Sequence, residues 1–192
     1  MDDKKFREEV YKRHIKQLKN LEISHKKLII CFSGVPLSGK TYIARILEEK
    51  YKAVRINNDD IREIVKNVDK SKNMEEDVYS YLNWFLDNYR FKNGLVILDS
   101  SIDRRYPERA KITKKNKFKI FIIRLKVRGD ILEKRLISGR KKEDKNHFYG
   151  EIERWSREWK EFGRNVKPDI LIENNNKLNL IPLFDKLEGI IR

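Results

Sequence analysis

From Lys4 to Leu21, apolar side chains fall at Phe6, Val10, His14 or Ile15, Leu18 and Leu21. Spacings of three and four make one stripe, so this stretch is predicted to be an amphipathic helix ahead of the first strand. Five short apolar runs follow, Leu28–Phe32, Ala53–Ile56, Leu95–Leu98, Lys119–Leu125 and Asp169–Ile172, and helical patterns separate them. That βαβα rhythm, with runs that do not strictly alternate, predicts an α/β fold with a five-stranded doubly wound parallel sheet covered on both faces. Two longer stripes read as core faces of helices: Met74, Val78, Tyr81, Leu82, Phe85 and Tyr89, and then Phe148, Ile152, Trp155, Trp159 and Phe162. Tyr79 and Trp84 lie off the first stripe and are the aromatics most open to a binding role. No internal repeat is visible, and four prolines and eight glycines form no linker. The expected organisation is a helical extension over residues 1–26 and one α/β domain over 27–192.

Composition changes this picture little. With 39% hydrophobic residues among 192, the chain can bury one ordinary core. No run reaches the length of a membrane span, and Met1-Asp2-Asp3-Lys4-Lys5 does not resemble a secretory leader, so a cytoplasmic protein with no membrane partner is expected. The single cysteine, Cys31, lies inside the first apolar run and reads as a small core side chain. Charge says more, because 45 Lys+Arg against 30 Asp+Glu leave +15. From Arg104 to Arg128 eleven basic residues face one acid, Glu108, a local excess of 11 − 1 = +10. Such a stretch suits a polyanion, nucleic acid or a phosphorylated substrate, or else it decorates a solvated face.

Candidate chemistry begins where the first strand ends. Gly34-Val35-Pro36-Leu37-Ser38-Gly39-Lys40-Thr41 has the spacing G-x-x-x-x-G-K-[ST], follows an apolar strand and precedes a helical run. Glycines at both ends let the backbone close around phosphates, Lys40 can bridge the β- and γ-phosphates, and the Thr41 hydroxyl can ligate Mg2+. ATP with magnesium is the expected ligand. At the end of the second strand, Asn57-Asn58-Asp59-Asp60-Ile61-Arg62 puts a carboxylate and, one turn on, an arginine at the edge facing the ligand crevice. Asp59 could take the proton of an attacking hydroxyl and Arg62 could hold an anionic group on the acceptor, with Asp60 as the alternative base. Either aspartate could also cap the helix that follows.

With these motifs, residues 27–192 resemble P-loop kinases that carry an Asp-x-x-Arg acceptor motif, notably polynucleotide 5'-hydroxyl kinases and the related seryl-tRNA kinases. The resemblance implies that Asp59 is the general base and Arg62 the acceptor clamp. It also implies a strand ending in an acid near the active site, matched by Leu95-Val96-Ile97-Leu98-Asp99, where Asp99 ligates magnesium through water or orients the acceptor. The segment from Gly129 to Arg140 resembles the lid of these kinases, with Arg135 and Arg140 as arginines that close over the phosphates. Lys167 to Asn174 resembles the last strand, whose following loop borders the adenine. Asn116-Lys117 is followed by Phe118-Lys119, which is not a guanine-recognition motif. The leading expectation is a kinase for a 5'-hydroxyl of RNA or DNA or a tRNA-borne hydroxyl, with the Arg104–Arg128 stretch on the phosphate backbone. A small-molecule kinase of the same fold, acting on a sugar, nucleoside, antibiotic or, as in zeta-type toxins, a nucleotide-sugar, is the rival. An ATP-dependent binding module without transferase activity is a third.

Overall fold

A computed structural model describes residues 2–20, 27–69, 74–88, 94–139, 142–176 and 178–191. In chain order the elements are α1 (Asp3–Gln17), β1 (Leu28–Ser33), α2 (Lys40–Tyr51), β2 (Val54–Asn57), α3 (Asn58–Val68) and α4 (Met74–Asn88). They continue with β3 (Leu95–Ser101), α5 (Tyr106–Lys115), β4 (Lys119–Lys126), α6 (Gly129–Gly139), α7 (Lys142–Asn165), β5 (Ile170–Glu173) and α8 (Ile181–Ile191). The strands form one sheet in the order β2-β3-β1-β4-β5, and each adjoining pair is parallel. The five strands are those expected from the apolar runs, with ends shifted by at most one residue except in β3, which runs three residues further, to Ser101.

Burial on both faces explains why those runs lack a polar alternation. Ile29 and Cys31 of β1 join Ile56, Val96, Leu98 and Ile122 in one layer, under side chains of α1, α3, α4 and Phe162 of α7. Leu28, Ile30 and Phe32 point the other way, into a layer with Ile97, Phe121, Ile123 and Leu125 beneath α2 and α8. Cys31 is enclosed, and burial pushes its thiol up to about 12, in keeping with a core side chain.

The first helix belongs to the first layer. Phe6, Val10 and His14 are its buried positions, and of the two alternatives at the stripe's third place His14 is buried while Ile15 is half-buried. Val78, Tyr81, Leu82 and Phe85 of α4 are buried as expected. Trp84 packs edge-on against Tyr11 of α1, so it serves packing. Leu21, Tyr89 and the side chains of Met74 and Phe148, also part of the expected stripes, lie outside the described residues.

One irregularity shapes the site. Along β1, Cys31 pairs with Leu98 but Phe32 pairs with Ser101, so Asp99 and Ser100 are looped out of the β1–β3 ladder. A bulge of this kind re-aims side chains at a strand end. Here it turns the carboxyl end of β3 toward the loop that leaves β1.

Candidate active site

Gly34 to Thr41 wrap from the end of β1 onto the start of α2. Two backbone positions in the wrap are left-handed, Leu37 at φ 64° and Gly39 at φ 100°. Glycine is needed at 39 for that reason, and also because a Cβ there would collide with the Asn174 amide. Gly34 is confined too, since a Cβ would meet Ser38 Oγ at 2.7 Å. The Lys40 ammonium donates to the carbonyls of Gly34 and Val35 at 2.8 and 2.9 Å. Desolvation lowers its pKa to about 8 against the opposing pull of Asp103, Asp99 and Asp59.

The Thr41 hydroxyl donates to Asp99 Oδ1 at 2.9 Å, while Arg55 and Asn57 donate to Asp99 Oδ2 at 2.8 and 3.0 Å. Burial pushes the Asp99 carboxyl upward, and the hydrogen bonds from Thr41 and Arg55 oppose it. Thr41 and Asp99 thus bring two hard oxygens together. That set fits Mg2+, which keeps several waters and takes few protein ligands. Among the described residues no group of three or more His, Cys, Asp or Glu could hold a metal.

Asn57 ends β2 and caps α3, its side chain accepting the Asp59 N–H at 2.7 Å. The capping expected of Asp59 or Asp60 therefore falls to Asn57, and both carboxylates are left in the first turn, where the helix dipole favours them. Asp59 is exposed and ion-paired with Arg62. Asp60 is exposed as well, but desolvation raises its pKa, with Arg55 the first opposing charge.

Gly34, Lys40, Thr41, Asp59, Arg62 and Asp99 line one cavity of about 550 Å³ at the carboxyl ends of the strands. Asp60 is not among its lining residues. The lining also includes residues not singled out from the sequence for this site: Tyr42, Ser101, Asp103, Arg104, Trp155 and Glu158. Tyr79, suspected from its place off the stripe, lines it too. Trp155 was expected in the core. It faces the cavity because α7, 24 residues long, carries its stripe beyond the core that Phe162 enters. Asp103 accepts from the Gly34 N–H at 3.2 Å and from the Ser101 hydroxyl at 2.8 Å. Its place in the loop after β3, at the ligand edge of the sheet, was the only signal available beforehand. Arg104 links two helices beside the cavity, with Glu75 of α4 at 3.5 Å and Glu158 of α7 at 3.2 Å.

This geometry can be set beside known proteins. A family model described as Zeta toxin matches residues 12–106, a range that holds Gly34–Thr41, Asp59, Arg62 and Asp99 but not Arg135. No curated protein sequence matches the chain. Among solved structures, the PezAT toxin-antitoxin system of Streptococcus pneumoniae aligns with a TM-score of 0.58 at 13% identity, over 93% of this chain and 81% of that one. The Mycobacterium tuberculosis APS kinase CysC, in complex with AMPPNP and APS, aligns at 0.54 and 14%, over 88% and 98%. A candidate kinase from Chloroflexus aurantiacus J-10-fl aligns at 0.52 and 13%, over 87% and 99%.

The chain has the fold of P-loop kinases. Of the two arginines expected to close over the phosphates, one lies among the described residues. Arg135, expected over the phosphates, donates to the carbonyls of Leu37 and Asn174 at 3.0 and 2.8 Å and does not line the cavity. Arg140 lies outside the described residues.

The basic stretch is not one stripe. Arg109 is buried, donates to Asn83, and burial lowers its pKa to about 10. Arg124 stacks on Trp159 with 4.1 Å from guanidinium to ring centroid. Arg105, Lys115, Lys126 and Arg128 are paired with Glu108, Asp87, Glu173 and Asp130. Lys114, Lys117 and Lys119 are exposed, but they sit at the end of α5 and the start of β4. Lys119 is level with Leu28, the first residue of β1, so the strand's length, about 20 Å, separates it from the phosphate loop. Among the described residues no helix is long and apolar enough to cross a membrane.

Proposed function

We propose that this chain is an ATP-dependent kinase that transfers the γ-phosphoryl group to an acceptor hydroxyl. One observation carries the reading: the phosphate loop with Lys40, at the end of β1, and the Asp59–Arg62 pair, at the end of β2, open into the same cavity across the end of β3. Asp59 takes the proton of the acceptor hydroxyl as the new oxygen–phosphorus bond forms, and the bond to the ADP oxygen breaks. Lys40 and the loop amides hold the phosphate oxygens. Magnesium, when bound by Thr41 and Asp99, neutralises charge on the transferred group. APS kinase holds AMPPNP on the same fold, which supports ATP as the donor.

For the acceptor, the observations favour a small anionic molecule held in the cavity. Arg62 and Arg104 supply cations to its lining, and Tyr79 and Trp155 supply flat apolar surface. A polynucleotide hydroxyl remains the second reading, supported by the net charge of +15. Its weakness is placement, because Lys114, Lys117 and Lys119 lie toward the far end of the sheet. The test is transfer of labelled γ-phosphate from ATP to a panel of 5'-hydroxyl oligonucleotides, bulk tRNA, nucleosides, sugars and nucleotide-sugars. Label on a small acceptor supports the leading reading and label on an oligonucleotide the second. Tight ATP binding with no labelled product from any acceptor identifies a binding module instead.

A further inference from the structure

Behind the phosphate loop, on the side away from the cavity, two side chains from distant parts of the chain seize consecutive backbone carbonyls. Arg135 of α6 donates to the Leu37 carbonyl at 3.0 Å, and Asn174, just past β5, donates its Nδ2 to the Ser38 carbonyl at 2.9 Å. The two are locked to each other. Arg135 also donates to the Asn174 carbonyl at 2.8 Å and toward its Oδ1 at 3.3 Å. Because guanidinium is donor-only, it selects the Asn174 rotamer that turns Oδ1 toward arginine and leaves Nδ2 for Ser38. Asn174 is 7% exposed, and its own N–H is tied to the Lys126 carbonyl at 2.9 Å, so the anchor is rigid.

Peptide planarity gives the clamp its consequence. In a trans peptide the C=O and the following N–H point in opposite directions. Holding the Ser38 carbonyl outward therefore turns the Gly39 N–H inward, toward the cavity that Gly39 lines. The helix does not compete for this carbonyl, since α2 takes its first backbone bond from Ile43 N–H to the Gly39 carbonyl. The clamp also spans the two left-handed residues, Leu37 and Gly39, one of which is not glycine and needs outside support.

From this geometry we infer that Asn174, oriented by Arg135, is a positioning residue that holds the phosphate loop in its anion-binding shape. The inference rests on Gly34–Thr41 being the triphosphate site. It gives Asn174 a part distinct from bordering the adenine, and Arg135 a part distinct from touching the transferred phosphoryl.

The test measures binding of inorganic tripolyphosphate and of adenosine separately, by calorimetry, for wild type, Asn174→Ala and Arg135→Lys. A clamp predicts tripolyphosphate affinity weakened about tenfold or more in Asn174→Ala, the worth of one well-placed hydrogen bond, with adenosine affinity unchanged. Arg135→Lys keeps the charge, loses the fork, and should show the same selectivity to a smaller degree. Loss of adenosine affinity with tripolyphosphate intact would return Asn174 to the adenine and overturn the clamp. Equal tripolyphosphate binding in all three proteins would overturn it too. Wild type that binds neither tripolyphosphate nor ATP would remove the nucleotide site itself, and the clamp with it.

Discussion

Asp59 and Asp60 are one position apart, which on a helix is a turn of about 100°. That rotation separates a carboxylate on the cavity wall from one outside it. Asp59→Asn keeps size and most hydrogen bonding while removing basicity, so transfer should fall by about two to four orders of magnitude with ATP affinity retained. Asp60→Asn should leave turnover within a few fold. A large loss in Asp60→Asn beside a nearly active Asp59→Asn would move the base by one residue. Lys40 adds a pH effect. Its proton is held with a pKa of about 8 in the free site, below the ordinary lysine value because of burial. Bound phosphates need the charged form, so ATP affinity should weaken as pH rises above about 8, and binding there should take up a proton. Calorimetry in buffers of different ionisation enthalpy reads that uptake, and affinity flat from pH 7 to 9.5 would contradict it.

At the scale of elements, α1 is fastened to the sheet layer that carries the base. His14 is 1% exposed, with Nδ1 3.0 Å from the Tyr81 hydroxyl of α4, and burial lowers its pKa to about 4. Below pH 6.5 the unfolded chain binds a proton that the folded chain refuses, so stability present at neutral pH is lost as pH falls toward 4. About 2 kcal/mol should go between pH 7 and pH 5 from this residue. Urea unfolding of wild type and His14→Leu at both pH values checks it: the wild-type loss should exceed that of the variant by this amount. An equal loss in both would mean that His14 is protonated in the fold. The strands and helices were legible because apolar runs and stripes follow from burial, and β1 shows it with side chains alternating between two covered faces. Gly34–Thr41 was legible because its residues answer to a local backbone requirement. Trp155 was not, since one stripe serves the core at Phe162 and the cavity farther along the same helix. Nor was Asn174, whose part depends on a contact between residues 136 positions apart.

For the whole molecule, charge in the sequence and charge in space are different quantities. The excess between Arg104 and Arg128 is dispersed from the loop after β3, through α5 and β4, to the loop beyond: Arg109 is buried, and Arg104, Arg105, Lys115, Lys126 and Arg128 are ion-paired. Reversing Lys114, Lys117 and Lys119 to glutamate should therefore leave transfer to a small acceptor within about twofold, because screened charges so far away act weakly. A steep, salt-dependent loss would restore the polynucleotide reading. The central claim is that phosphoryl transfer happens at the cavity shared by Lys40 and Asp59, and the most direct measurement is single-turnover transfer from labelled ATP by wild type and Lys40→Ala. Lys40 meets charge on the bound triphosphate and in its transition state, so Lys40→Ala should lose transfer by at least about three orders of magnitude while its far-ultraviolet spectrum and melting temperature stay close to wild type. Turnover of a folded Lys40→Ala at the wild-type rate would contradict the site altogether.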